Sequence, residues 1–512
     1  MTHLRRLPLL VIFAGLAALL MLLPAGHATI MGNHAVARAF FYSAIVIFLG
    51  ALMVGIASGA KPPRENTRAS VVAMVAGYAI LPFLLAIPLA QMRLGIEYQA
   101  AWFDMLSAFT TTGAAPRYPE LLPPTVTLWR GLVGWIGGFY ILVMASAVLL
   151  PMGLGGSEVV SGKTSRGQGG YMGASKTPID RILDTGLMIF PIYGAMTLIL
   201  WLALALAGES SFAALVTAMG VISTSGIAAE AGGVAQDSGI LGEMIIVLGL
   251  TIAMSRHLMP LRAQMGRQTR QKGGQKLGGQ RLGEAQFYDP ELRLGLAVVV
   301  LTSAALFVYH WFGRTPPSDA TMMRAIWGGL VLALSFLTTT GFESYSTQMA
   351  MDWAGLGSPG MLLMGLAIMG GGVATTAGGL KLLRVYALLR HGERELERLV
   401  HPNSLGGAGQ DARFIRRAGA LNAWVLFMLF ALTIGVGTAV MTLTGMDFDP
   451  SIAFTISALT NTGPLATSLL DLQLSYAALS PVQMAVLAVL MVAGRLELLV
   501  LLAVLSPSTW RF

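Results

Sequence analysis

Four short runs in this chain set hydroxyl side chains directly before a glycine: Thr110-Thr111-Thr112-Gly113-Ala114, Ser223-Thr224-Ser225-Gly226-Ile227, Thr338-Thr339-Thr340-Gly341-Phe342 and Thr460-Asn461-Thr462-Gly463-Pro464. The chemistry open to such a run is coordination. Backbone carbonyls that all face one line can replace the water shell of a monovalent cation. That alignment needs backbone angles that side chains resist and glycine permits. The hydroxyls can add oxygen ligands or brace the strand. One Thr-Thr-Gly alone carries little, because threonine and glycine are common in membrane helix contacts. Here the four glycines, Gly113, Gly226, Gly341 and Gly463, stand 113, 115 and 122 residues apart. So regular an interval indicates internal repetition.

The segments that must position these runs are apolar. Hydrophobic residues make up 55% of the 512 and charged residues only 11%, against about 25% charged in ordinary soluble proteins. Such a chain cannot cover a globule with water-compatible side chains, so lipid is its solvent. Apolar stretches of spanning length recur at 7–24, 36–59, 70–92, 125–151, 183–207, 239–259, 293–313, 357–389, 418–444 and 481–505. They suit helices and are too long for barrel strands. The first lies behind Arg5 and Arg6 and is followed by Gly26-His27-Ala28, a tolerable cleavage site for a secretory signal. Its length and the span that follows favour a retained helix.

Between alternate spans lie shorter runs, 102–114, 212–227, 322–342 and 451–465, each ending in one of the four glycine motifs. These read as re-entrant helices followed by non-helical strands. Asp449-Pro450, Ser210 or Ser211, and Ser318 or Asp319 supply start signals. A helix entering from outside and ending at the motif turns its partly negative end toward a cation. The segments joining the units, at 61–68, 163–181, 262–281 and 381–417, are all rich in Lys and Arg. That places them in the cytoplasm and the motifs toward the outside. The outer segments are acidic, with Glu97, Asp104, Glu209, Glu343, Asp447 and Asp449 among them, and an acidic mouth concentrates cations.

Other chemistries find little support. There is no cysteine, which excludes disulfides, thiol catalysis and Cys-ligated metals. The seven histidines show no metal-ligand spacing. An embedded enzyme would need facing clusters of His or carboxylates, and none is repeated or suitably spaced. The net charge of +8 sits in the cytoplasmic segments, so no nucleic-acid partner is implied. Glycine pairs at 273–274 and 278–279 lack the strand and helix of a nucleotide site.

The four loops carry a resemblance, together with Gly370-Gly371-Gly372-Val373-Ala374-Thr375-Thr376-Ala377-Gly378-Gly379-Leu380-Lys381, Gly494-Arg495-Leu496-Glu497 and Ser506-Pro507-Ser508-Thr509-Trp510. The set resembles the Trk/Ktr/HKT superfamily of potassium transporters, and the two additional N-terminal helices match its bacterial Trk-type membrane subunit. The resemblance implies an all-α membrane protein of four M1–P–M2 repeats in pseudo-fourfold arrangement. The expected units are 1–68 (two extra helices), 69–178, 179–290, 291–413 (with a gate loop) and 414–512.

It further implies potassium ion transport in the bacterial inner membrane, one pore per protomer, with no enzymatic activity and no organic cofactor. A homodimer and a cytosolic nucleotide-binding regulatory subunit are the implied partners. The implied potassium-binding residues are Thr111, Thr112, Gly113, Thr224, Ser225, Gly226, Thr339, Thr340, Gly341, Asn461, Thr462 and Gly463. The implied gate comprises Gly370, Gly371, Gly372, Thr375, Thr376, Gly378, Gly379 and Arg495, with Arg495 facing the pore. Without the resemblance, the glycine cluster reads first as close helix packing. Arg495 then reads as an ion pair with Glu497 or a snorkelling cation, the reading also given to Arg256 and His257. In the family, glycine in the first loop goes with potassium selectivity. Ser225 and Ile227 depart from the usual second loop and leave room for sodium permeation. A sodium- or proton-coupled symporter is the alternative to channel-like conduction.

Overall fold

The computed structural model describes residues 8–58, 67–92, 95–116, 122–152, 178–229, 233–255, 289–313, 319–343, 360–401, 417–468 and 474–505. The basic segments 163–176 and 262–281, Arg256, His257, Ser318 and the motif 506–510 lie outside them.

Helices α1 (Leu9–Leu20) and α2 (Leu22–Ile30) form one apolar span, and α3 (His34–Ser58) returns beside it. The first span is longer than the sequence suggests. Gly26-His27-Ala28 is helical, and the His27 ring is 2.9 Å from the Thr125 hydroxyl. The first unit is then α4 (Thr67–Gln91), α5 (Tyr98–Phe109) and α6 (Pro124–Met144). The second is α7 (Pro178–Leu206), α8 (Ser211–Ser223) and α9 (Gly239–Thr251). The third is α10 (Pro290–Gly313), α11 (Asp319–Leu337), α12 (Gly360–Met369) and α13 (Leu382–Val400). The fourth is α14 (Arg417–Leu443), α15 (Phe448–Thr460), the short α16 (Pro464–Thr467), α17 (Pro481–Leu496) and α18 (Leu498–Leu505).

The re-entrant helices α5, α8, α11 and α15 each pack against the helix before them and the helix of the same unit that follows, α6, α9, α12 and α17. Each unit also grips the next: α6 packs on α8, α9 on α11, α12 on α15, and α17 returns to α5. This closes a ring of four. The outer helices expose their apolar side chains, Val46 and Ile56 on α3 and Leu432 and Val436 on α14 among them. In a soluble protein such surface would be costly; in lipid it is the solvent-matched face.

Three spans differ from the sequence expectation, and the backbone explains each. The apolar run 357–389 is not one helix. It stops at Met369, and positive φ at Gly370, Ala374, Gly379 and Lys381 breaks it before α13. Helix α13 is amphipathic and carries the pairs Arg390–Glu393 and Arg398–Glu395, so its distal half suits water rather than lipid. The run 481–505 is interrupted at Glu497, which has φ 62°. The run 239–259 tightens into a 3-10 turn at Ile252–Met254 and extends its chain at Ser255.

Candidate functional site

Each short helix ends in the same way. The backbone N–H of Thr112, Ser225, Thr340 and Thr462 donates to the carbonyl five residues back, on Ser107, Gly220, Ser335 and Ser457, at 2.8, 3.0, 2.9 and 2.9 Å. The preceding residue, Thr111, Thr224, Thr339 or Asn461, donates to the carbonyl three residues back and takes a left-handed conformation, with φ of 55, 52, 57 and 56°. This is the Schellman termination that usually recruits glycine. Threonine is β-branched, and placing it there costs about 1–2 kcal/mol. Asn461 enters that region more readily. The same strained turn at four sites aims four helix ends at one place.

The glycines make that place narrow. A methyl on Gly113 would overlap the Ser225 carbonyl oxygen, and one on Gly226 the Thr340 carbonyl oxygen. One on Gly341 would lie 2.9 Å from the Pro464 ring, and one on Gly463 2.6 Å from the Thr112 carbonyl oxygen. Loop 1 thus abuts loop 2, loop 2 loop 3, loop 3 loop 4, and loop 4 loop 1. The four loops that carry the twelve residues expected to bind the ion therefore come together in one closed set of contacts. Gly113, Gly226 and Gly341 have φ between 64 and 77°, as the sequence argument requires. Gly463 does not: its φ is −56° and the chain enters α16 directly. Space rather than backbone angle demands glycine at that position.

The hydroxyls brace the loops. Thr110 with Thr112, Ser223 with Ser225, Thr338 with Thr340 and Thr460 with Thr462 are 2.8, 3.0, 3.1 and 3.2 Å apart. The first of each pair also donates to its own helix, to Leu106, Met219, Leu334 and Ile456 at 2.7–2.9 Å. Asn461 donates to the Thr112 hydroxyl at 3.1 Å and to the Met491 carbonyl at 2.9 Å, tying loop 4 to loop 1 and α17.

The segment 370–381 lies directly against these loops. Gly378 N–H donates to the Thr339 hydroxyl at 2.6 Å, and a side chain on Gly378 would overlap the Thr460 carbonyl. Thr376 donates to the Ile222 carbonyl at 3.1 Å. Thr375 donates to the Gly372 carbonyl at 2.8 Å, and Gly372 N–H to Ala253 at 3.0 Å. Gly370 and Gly379 pack backbone on backbone, and Gly371 presses on Ala253. The break is therefore a folded hairpin touching three of the four units, not a helix–helix contact through small residues.

Arg495 is 5% exposed, and its Nε and one terminal nitrogen have no hydrogen-bond partner among the described residues. Its ionisable neighbours include the phenols of Tyr78 and Tyr193 and the Lys381 ammonium. The Tyr78 ring packs on Phe109, one residue before loop 1, with centroids 5.3 Å apart. Glu497 does not pair with Arg495, which overturns the local-pair reading. Its carboxylate takes Arg384 of α13 at 2.8 Å, because the break at Glu497 swings it toward the other helix. Sequence reasoning missed that tie, and also the buried pair of Asp104 on α5 with Arg130 on α6 at 2.8 Å. Asp104 is thus neutralised inside the protein and adds nothing to an acidic mouth. Ser210 caps α8, accepting from Ala213 N–H. The cap of α15 is Asp447, with Asp449 already in its first turn.

Comparison with known proteins agrees with this geometry. A family model described as cation transport protein, TrkH, matches residues 292–511. A Trk system potassium uptake protein TrkH of Salmonella typhimurium is 28% identical over 412 residues, covering 80% of this chain and 79% of its own. The protein of that name from Vibrio parahaemolyticus is 29% identical over 443 residues, covering 84% and 82%. The crystal structure of the potassium transporter TrkH from Vibrio parahaemolyticus superposes with a TM-score of 0.78 over 100% of both chains, at 24% identity. With four helix-ended loops closed into a ring inside an apolar helical shell, the chain shares the fold of that transporter, and its sequence is similar to Trk-type membrane proteins over most of its length.

Proposed function

We propose that this protein carries potassium across the bacterial inner membrane through a single pore per protomer, channel-like, along the line where the four loops meet. The observation that carries the reading is the closed contact of Gly113, Gly226, Gly341 and Gly463 with the neighbouring loops. Rings of backbone oxygens at 111–113, 224–226, 339–341 and 461–463 hold the ion, and the helix ends behind them favour positive charge. The units are read as 1–68, 69–178, 179–290, 291–413 and 414–512. The names of the relatives support potassium as cargo, and Gly113 supports selectivity over sodium. Ser225 and Ile227 make loop 2 the place where sodium leaks.

In this reading the hairpin 370–381 is the gate, since it fills the space beneath loops 2, 3 and 4. Arg495 opposes cation occupancy from the inner side. Movement of α13 pulls on the hairpin through Lys381 and on α17 through Arg384–Glu497. A cytosolic nucleotide-binding subunit docking on the basic segments supplies that movement, and the protein works as a homodimer. Purified protein in liposomes tests the function: uptake of potassium and rubidium well above sodium supports it. Equal or absent uptake of all three, with correctly folded protein, refutes it.

A further inference from the structure

The hairpin 370–381 is fixed at two places. Thr376 ties it to Ile222 at the end of α8, and Gly378 ties it to Thr339 of loop 3. The arm 371–373 is held by chain that has no part in the loops. Gly372 N–H donates to the Ala253 carbonyl at 3.0 Å, and a methyl on Gly372 would lie 2.5 Å from the Met254 carbonyl oxygen. The backbone of the arm therefore lies flush on the end of the second unit. One residue on, Val373 N–H donates at 3.2 Å to the carboxylate of Glu291, in the first turn of α10. Glu291 and Val373 are both fully buried.

A glutamate in the first turn of a helix ordinarily faces water and is favoured there by the positive helix end. The start of α10 is already served by Asp289. One Asp289 carboxylate oxygen accepts from Glu291 N–H at 3.1 Å, and the other takes the Ser255 hydroxyl. Asp289 and Ser255 are buried as well. Burying a second carboxylate beside them is costly unless it is bonded, and this one reaches a backbone N–H 82 residues away. The Ser255–Asp289 bond joins the end of the second unit to the start of the third, so 253–255 and 289–291 form one clasp on the arm. The charge also reaches the far end of the hairpin, where the Glu497 and Glu291 carboxylates attract the Lys381 ammonium.

We infer that Glu291 is a positioning residue for the gate: braced by Asp289 and Ser255, its carboxylate holds the hairpin against the loops through Val373 N–H. This rests on the reading of the hairpin 370–381 as the gate. A bond between N–H and carboxylate is stronger than one between neutral groups. It exists only while the arm is seated, so it biases the gate toward the seated state.

The test is Glu291→Ala in the full-length protein, reconstituted alone in liposomes beside the wild type. Rubidium uptake is measured per folded molecule, with melting temperature as the check on folding. Uptake is expected to rise about 10- to 100-fold, the range that a hydrogen bond to a charged group spans. Glu291→Gln keeps an oxygen that can accept from Val373 N–H, so its uptake should fall between the wild type and Glu291→Ala. A merely structural glutamate would lower the melting temperature and leave uptake per folded molecule unchanged or reduced, and that result overturns the inference. If Glu291→Ala fails to fold, Ser255→Ala loosens the same clasp and should raise uptake about 2- to 10-fold; no rise overturns it. Thr376→Ala, which frees the hairpin from the Ile222 carbonyl, separates the two readings. A rise in Thr376→Ala without one in the Glu291 and Ser255 variants removes the clasp alone. No rise in any of them removes the gate, and no uptake by the folded wild type or any folded variant removes the proposed pathway with it.

Discussion

Replacing Gly113 by alanine addresses the ring at its most sterically demanding contact. Gly113 has φ +77°, a region that costs an L-residue about 1–2 kcal/mol. Its new Cβ would lie 1.9 Å from the Ser225 carbonyl oxygen and 3.1 Å from the carbonyl carbon. Separations under 3.0 Å are essentially never seen for real Cβ atoms, so loop 2 must retreat by more than about an ångström, a misplacement that costs on the order of 10²-fold at a preorganised site. The obstacle is backbone, pinned by Ser225 N–H to Gly220 and by the Ser223–Ser225 hydroxyl contact, so it cannot swing aside as a side chain would. Rubidium tracer uptake into liposomes is expected to fall about 10- to 100-fold, with the remaining flux less able to exclude sodium. Gly194→Ala on α7 is the control, because nothing lies within 4 Å of its built Cβ; its uptake should match the wild type. If Gly113→Ala conducts and selects as the wild type does, the loops do not meet tightly enough to hold an ion and the reasoning fails.

Other perturbations reach the inner and outer sides. Arg495→Ala should raise cation uptake about tenfold, since a unit charge roughly 10 Å from an ion is worth about 1–2 kcal/mol at an effective dielectric near 20; unchanged flux would remove Arg495 from the pathway. Glu497→Gln should remove the charge facing Arg384, whose side chain is 4% exposed. The cost of about 3–5 kcal/mol should appear as a lower melting temperature in detergent, and Arg384→Met with Glu497→Leu should recover most of it. Glu343 follows loop 3, and burial holds its carboxyl above the ordinary glutamate value, opposed by a hydrogen bond from Ser468. The group stays neutral to a higher pH than a free glutamate and gains its charge only above that raised value. Cation uptake should therefore climb as external pH rises through the range just above the usual glutamate pKa, and Glu343→Gln should flatten that climb.

The architecture was legible because two periodic signals coincide: apolar runs long enough to span, and a hydroxyl–glycine motif at near-equal spacing. The second signal did not reveal its own mechanics. The strained residues are Thr111, Thr224 and Thr339, two positions before the glycines, and no propensity places β-branched residues in a left-handed turn. The hydroxyls read equally as ion ligands or as braces, and the bracing contacts, at 2.8 to 3.2 Å, depend on the turn that each helix end makes. Arg384–Glu497 and Arg130–Asp104 join residues 113 and 26 positions apart, and single-sequence reading has no signal for such pairs. The glycine-rich break at 370–379 was visible as composition, whereas the hairpin it forms depends on Ala253, Ile222, Thr339 and Thr460 from elsewhere in the chain.

Crystals grown in rubidium, measured at the rubidium absorption edge, would test the ion site most directly. An anomalous peak is expected on the line enclosed by residues 111–113, 224–226, 339–341 and 461–463, diminished when potassium replaces rubidium. Rubidium bound by the protein with peaks elsewhere, and none between the four loops, would contradict the assignment of those residues to the ion.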